Sequence, residues 1–375
     1  MRNSQLPEII RAPPGLYGVG VAETSISRGA ADGTLTYRGY PIRDLYDKAS
    51  FEECAFLILE GHLPTRKELD DFVSRLRSLR TVPEDVYQIV RAMPRDSHPM
   101  DVLRTAVSGL GASEQMLSAK EQDYSLIAKM PTLVTNCYRI LRGMDLAEPR
   151  DDMSEAENLL YVLTGRHPDA FELWAFEREL ILYLEHDLNV SAFTVRVVAS
   201  TLADVYAACT AGLAALKGPL HGGANEAAMQ MFLEIGSPER AASYLRENLA
   251  KGKKIMGFGH RVYKKVDPRA QLSKVMLKRL LEHKQADDKV YRLADELEHA
   301  MWETKKIPAN LDFYAAPIFY TLGIPIETYT PIFAASRVVG WVSHYNEQLA
   351  ANKLFRPDSI YVGQRDMVYV PIEKR

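Results

Sequence analysis

Cysteine is scarce in this chain, with three residues in 375, an odd number and too few for a disulfide framework. Cys54, Cys137 and Cys209 each fall in an apolar helical pattern, which fits reduced core thiols in a cytosol. Net charge is scarce too: 46 basic against 49 acidic residues leaves −3, so no overall field would gather nucleic acid. No long hydrophobic run occurs. The longest apolar stretch, around Val197 to Leu216, is interrupted by Thr201, Asp204 and Thr210 and does not read as a membrane span. The opening MRNSQLPEIIRAPPG lacks the continuous apolar segment of a secretory signal. Internal repeats, low-complexity segments and long Pro/Gly/Ser linkers are absent as well. What remains is 47% apolar and 25% charged, a composition that buries a large core and has room for two domains. A soluble, cytoplasmic protein is expected.

Hydrophobic periodicity predicts a nearly all-α chain. Ser50 followed by Glu53, with Gly61 closing the run, marks a helix over 51–61. Further helices are expected over 65–79, 83–92, 99–110, 121–142, 151–164, 169–186, 191–216, 222–235, 237–250, 267–282, 286–304, 310–321 and 331–349. Only residues 17–40, alternating around Asp32-Gly33, read as a minor N-terminal β-hairpin. Composition changes near Lys217-Gly218-Pro219 and again near Gly323-Ile324-Pro325. A smaller helical lobe over 218–323, inserted in a large helical domain formed by 1–217 and 324–375, is the expected organisation. Gly218, Gly222, Gly223 and Gly323 are its candidate hinges.

Three segments carry chemistry. GPLHGGANEAAM places His221 at or just before a helix start, where the helix dipole disfavours imidazolium and leaves a neutral ring able to donate to an enolate oxygen. GFGHRVYKKVDPRA places His260 in a glycine turn. From Lys251 to Arg269 this region holds seven basic residues and one acidic, which suits a phosphate-bearing ligand, although a solvated face has the same composition. IPANLDFYAAP places Asp312 at a helix start beside Leu311, Phe313 and Tyr314, where it is either a residue favoured by the dipole or a general base. Arg269 closes the VDPRA turn, Arg337 lies among Ala334, Val338 and Val339 on a helix face shared with Trp341, and Arg356 precedes Pro357 on an extended C-terminal arm. Arginines beside histidine motifs suit bidentate clamping of a dicarboxylate.

With LTYRGYPIRDL, SFEECAFLILEGHLPT and FRPDSIYVG, these motifs run in order along nearly the whole chain, which resembles a citrate synthase of the shorter bacterial and archaeal type. The resemblance implies a two-domain all-α fold. It also implies an Si-type acyltransferase of the tricarboxylic acid cycle that condenses acetyl-CoA with oxaloacetate and hydrolyses the citryl thioester without metal or cofactor. Residue by residue, it makes Asp312 the base that deprotonates the acetyl methyl, His221 the donor to the thioester carbonyl, and His260 the group that polarises the ketone and protonates the alkoxide. His186, Arg269 and Arg337 become oxaloacetate ligands, joined by Arg356 from the other subunit of a homodimer, with the helices near 191–216 in the contact. Lys254, Gly257, Gly259, Arg261 and Lys264 become the CoA-binding set, Lys264 standing where some relatives carry an arginine. Many relatives read His-x-Asp-His-Glu where this chain reads Tyr183-Leu184-Glu185-His186-Asp187.

Three other readings compete. A 2-methylcitrate synthase would use propionyl-CoA on the same scaffold, since one methylene changes discrimination by only ~1–3 kcal/mol. His221, His260 and Asp312 could form a two-histidine, one-carboxylate metal site, although no two of them are spaced i, i+4 and the basic cluster would repel a cation. A module binding phosphorylated ligands or RNA would explain the Lys251–Arg269 cluster but neither Asp312 nor Arg337.

Overall fold

The computed structural model describes residues 9–375. The first eight residues of the segment read for a targeting signal lie outside the described residues. A small antiparallel sheet comes first, β1 (Ser27–Gly29), β2 (Leu35–Tyr37) and β3 (Tyr40–Pro41), with Ser27 opposite Tyr37. The hairpin turn at Asp32-Gly33 is present, closed by Ala30 N–H to the Thr34 carbonyl at 2.9 Å. The hairpin is narrower than expected, since residues 17–26 form no strand and a two-residue third strand follows.

Sixteen α-helices follow among the described residues: α1 (Ile42–Lys48), α2 (Phe51–Glu60), α3 (Arg66–Leu79), α4 (Glu84–Arg91), α5 (Pro99–Ser113), α6 (Ala119–Leu141), α7 (Glu155–Thr164) and α8 (Ala170–Tyr183). The second eight are α9 (Val190–Ala199), α10 (Val205–Leu216), α11 (Ala224–Ile235), α12 (Ala241–Ala250), α13 (Pro268–His283), α14 (Lys289–Lys305), α15 (Leu311–Thr321) and α16 (Tyr329–Ala350). Local chemistry accounts for many boundaries. Ser50 and Glu53 form the expected capping box of α2, and Gly61 ends it with φ 88°. Thr65/Glu68 and Asp169/Glu172 do the same for α3 and α8.

Three departures bear on the site. The single helix expected over 191–216 is two, because Leu202 turns left-handed (φ 66°) and Asp204 caps a fresh start, accepting from Ala207 N–H at 2.8 Å. The helix expected over 169–186 stops at Tyr183, so Glu185 and His186 sit in irregular backbone just before a turn at Asp187 (φ 49°). Helix α11 starts at Ala224, which leaves His221 and Gly222 in the preceding turn. Helix α1 was not anticipated; seven residues are too few to show a helical period.

Helix α16 is buried on all sides from Tyr329 to Tyr345, as a helix apolar all round must be, and packs on α2, α6, α8, α9 and α10. Buried in it are Arg337, Trp341 and His344. The three cysteines are free and buried. No helix among the described residues is long and apolar enough to cross a membrane. Among the described residues, 9–23 and Leu354–Arg375 form a compact unit of their own, and Thr24–Lys353 form a second.

Candidate active site

Two of the three motif segments are tied by backbone. Phe258 and Ala309 form an antiparallel bridge, Gly259 N–H donates to Pro308 and Asn310 N–H to Gly257, both at 2.9 Å. Gly257 is required here: its φ is +80°, and a Cβ would meet Phe313 at 2.8 Å. This splice sets His260 beside the start of α15, where Asn310 uses its amide to bind the Gly259 carbonyl at 3.1 Å rather than to cap the helix.

Asp312 occupies the first turn of α15, where the helix dipole favours its anion. Burial outweighs that and pushes its carboxyl up to about 6, against the hydrogen bond from Tyr183 and the charges of Arg269 and Arg337. The Tyr183 hydroxyl donates to Oδ1 at 2.9 Å. A carboxylate that titrates near neutrality can accept a carbon-bound proton and release it again.

His221 is partly buried. Burial, with Arg337 adding to it, lowers its imidazole to about 3, so the ring is neutral across the physiological range. Nε2 lies 2.9 Å from the Ser191 hydroxyl, which also accepts from Trp341 Nε1 at 3.0 Å and stands 2.8 Å from Asn189 Oδ1. The hydroxyl has a single proton. When it goes to Nε2, the ring carries its own proton on Nδ1 and can donate it to a carbonyl oxygen. Ser191 was not anticipated as a site residue, though Asn189 capping α9 was legible in LNVSAF.

His260 is lowered to about 4 by burial and by Arg269, with Asp267 pulling the other way. Its Nδ1 accepts from the backbone N–H of Val262 (3.1 Å) and Tyr263 (3.3 Å), which places the proton on Nε2. That nitrogen lies 3.4 Å from Arg269 Nη2, and the ring stacks on Tyr263 at 4.7 Å between centroids. His186 joins them: its ring centroid is 4.8 Å from that of His260 and its Nε2 is 3.0 Å from the Tyr263 hydroxyl. Burial, followed by Arg269, His260 and Arg337, pushes His186 well below its ordinary pKa.

The two arginines differ. Arg269 is gripped by Asp267 through Nε (3.0 Å) and Nη2 (2.8 Å), which raises its pKa despite burial. Arg337 is 1% exposed and has no carboxylate within ion-pair distance among the described residues. Its Nε donates to the Tyr183 carbonyl at 2.7 Å and its guanidinium lies 4.8 Å from the Phe333 ring. Burial lowers its pKa in spite of Glu185, the sign of a charge lacking compensation. Phe333 also touches His221 (6.2 Å between centroids) and Tyr183 (4.3 Å), so the phenol that binds Asp312, the neutral imidazole and the arginine share one wall.

The rest of the expected set is placed as follows. Lys254, Arg261 and Lys264 are exposed, Lys264 reaching the His260 carbonyl at 3.2 Å, and Gly259 shares the left-handed conformation of Gly257. Arg356 belongs to the terminal unit, where it is exposed and pairs with Asp358 at 3.3 Å. No group of three His, Cys, Asp or Glu among the described residues is arranged to hold a metal ion.

Comparisons with known proteins agree on one family. Residues 15–358 match the profile described as citrate synthase, C-terminal domain. The chain is 45% identical to citrate synthase 2 of Bacillus subtilis, over 97% of this chain and 99% of that protein. It is 40% identical to the 2-methylcitrate synthase of Shewanella oneidensis, over 96% and 97%. Among solved structures, the ternary complex of carboxymethyl coenzyme A and oxaloacetate with citrate synthase from Thermoplasma acidophilum superposes with a TM-score of 0.91 at 36% identity, covering 96% of this chain and 98% of that one.

Proposed function

This chain belongs to the citrate synthase family, and we propose that it condenses acetyl-CoA with oxaloacetate and hydrolyses the citryl thioester to citrate and CoA. The observation that carries this reading is Arg337, a buried cation with no carboxylate at ion-pair distance among the described residues, set against the Phe333 ring that also meets His221 and Tyr183, the hydrogen-bond donor to Asp312. A dianionic substrate supplies the missing charge. Oxaloacetate lies with its carboxylates toward Arg337 and Arg269 and within reach of His186, and Arg356 is contributed from a second copy of the chain.

Asp312 takes a proton from the acetyl methyl. The α-proton of a thioester is far less acidic than a carboxylic acid, so transfer succeeds only if the enolate oxygen is met as its charge forms. Neutral His221 donates Nδ1–H to it, with Ser191 holding Nε2. The enol is a weak nucleophile and needs an activated ketone, which His260 supplies through Nε2–H. As the carbon–carbon bond forms, the charge that develops on the former ketone oxygen is met by His260 Nε2–H and by the Arg269 guanidinium beside it, and the new alkoxide takes its proton along the Nε2–H hydrogen bond. Water then cleaves the thioester, releasing CoA.

The glycine turn with Lys254, Gly257, Gly259, Arg261 and Lys264 takes the CoA moiety. The lobe over 218–323 closes on residues 1–217 and 324–375 about Gly218, Gly222, Gly223 and Gly323, excluding water from the enol. Two chains pair as a cytoplasmic homodimer with α9 and α10 in the contact. The exposed Tyr361, Val362, Met367, Val368 and Tyr369 of the C-terminal segment support pairing, since such a row of apolar side chains calls for a covering surface. The test is CoA release from oxaloacetate plus either acetyl-CoA or propionyl-CoA. Faster release from acetyl-CoA is expected, and a strong preference for propionyl-CoA would replace this reading with 2-methylcitrate synthesis.

A further inference from the structure

The surroundings of Tyr183 give it a task. It is the last residue of α8 and fully buried. The Tyr37 hydroxyl secures this end of the helix, its one proton shared between the carbonyls of Ile181 (3.0 Å) and Glu185 (2.9 Å). The Tyr183 ring is clamped between Phe319 and Phe333, at 6.3 and 4.3 Å between centroids. From this fixed ring the hydroxyl reaches Asp312 Oδ1 at 2.9 Å across 129 residues of sequence, while the backbone carbonyl of the same residue accepts from Arg337 Nε. One residue therefore couples the candidate base to the candidate carboxylate ligand.

We propose that Tyr183 is a positioning residue for the base: its hydroxyl pins one oxygen of Asp312, holds the carboxylate as the anion, and leaves the other oxygen aimed at the substrate proton. This rests on the reading of Asp312 as the base. A phenol suits the task better than an imidazole at pH 5–8. Burial and the nearby carboxylates of Asp312 and Glu179 keep Tyr183 protonated well above that range, so it donates throughout and adds no titration of its own. The charged groups that weigh on Asp312 are Arg269 of α13, Asp267 just before that helix, and Arg337 of α16. Glu179 of α8 weighs on Tyr183 and is bonded to Ser273 at 2.7 Å. Glu298 of α14 is engaged by Tyr314, on the opposite side of α15 from Asp312. From α11 the neutral Asn225 side chain weighs on the phenol. None of these groups except Tyr183 donates a hydrogen bond to Asp312 among the described residues.

The experiment compares pH profiles of kcat/KM for wild type, Tyr183→Phe, and a chain carrying 3-fluorotyrosine at 183, with Asp312→Asn alongside. Removing the donor destabilises the anion, so the acid limb of Tyr183→Phe should move up by about one pH unit. Its kcat should fall about tenfold, the worth of one hydrogen bond, with KM for oxaloacetate unchanged. The fluorinated ring is a stronger donor of the same shape, and its limb should move the other way, which keeps the test alive if the phenylalanine variant folds poorly. Limbs that coincide with wild type in both, or a loss confined to KM for oxaloacetate, would overturn the proposal. Wild-type activity in Asp312→Asn would remove the base assignment itself. An inactive Asp312→Asn with an unmoved Tyr183→Phe limb would remove only the role given to Tyr183.

Discussion

Helix α16 runs through two buried clusters built from the same side-chain types, arginine, histidine and carboxylate. Toward its C-terminal end, Glu347 holds Arg196, Arg196 Nε donates to His344 Nδ1 at 3.0 Å, and His344 Nε2 donates to Glu185 Oε1 at 3.0 Å. Ser27 adds a second contact to the Glu185 carboxylate, and Ser25 secures Glu347 through its backbone N–H and hydroxyl. Each cation there has an anion, and the histidine tautomer is fixed by neighbours on both sides. About two to three turns earlier, Arg337 has a carbonyl and an aromatic face and no carboxylate at ion-pair distance among the described residues, Asp312 has a phenol, and the rings of His221, His260 and His186 are pushed to low pKa by burial and by arginines. Identical ingredients serve structure where their charges close on one another. They serve chemistry where the closure is left to a ligand.

The sharpest way to break this contrast is at the base. Asp312→Asn should lower kcat by about a thousandfold, within the range typical of a positioned general base. In wild type, kcat/KM should rise with pH through about 6 and then level, because the ionised carboxylate is the active form and burial has raised its pKa to that value. A pH–rate profile checks the sign, and activity that fell as pH rose through 6 would mean that Asp312 acts as an acid instead.

Exchanging the arginines comes next. Arg337→Met should raise KM for oxaloacetate about a hundredfold while leaving the unfolding midpoint near that of wild type, since the residue removed was an uncompensated buried charge. Arg196→Met should do the reverse. It strands Glu347 and His344 and should cost about 3–5 kcal/mol of stability, measured by denaturant unfolding, with little change in KM. The smallest effect is expected at Ser191→Ala. Losing the partner of His221 Nε2 should lower kcat up to about tenfold without changing oxaloacetate KM, the scale of one neutral hydrogen bond.

Much of the site was legible before the fold was known because its signals are local. Glycines beside His221 and His260, a proline-marked helix start at Asp312 and the Ser50–Glu53 box are all read within a few residues. What escaped depends on long-range packing. Nothing near Tyr183 in sequence announces Asp312, and nothing near His221 announces Ser191 and Trp341. The break between α9 and α10 escaped because the apolar pattern resumes at once beyond Thr201 and Asp204, and the cap at Asp204 with the left-handed Leu202 is what separates the two helices. His186 was assigned to the end of α8 for the same reason. Its place beyond the helix, which lets it face His260, follows from Tyr37 binding the late carbonyl of Ile181 and that of Glu185 just past the helix end.

The claim that Arg337 awaits its counter-charge is tested most directly by the thermal unfolding midpoint with and without saturating oxaloacetate, for wild type, Arg337→Met and Arg196→Met. A ligand that binds only the folded state raises the midpoint, by about 3 kcal/mol of stabilisation at a hundred times its Kd. The expected result is a clear rise in wild type and in Arg196→Met, whatever the starting midpoint of the latter, and none in Arg337→Met. An equal rise in all three proteins would contradict the account, because the dicarboxylate would then be held without the charge of Arg337.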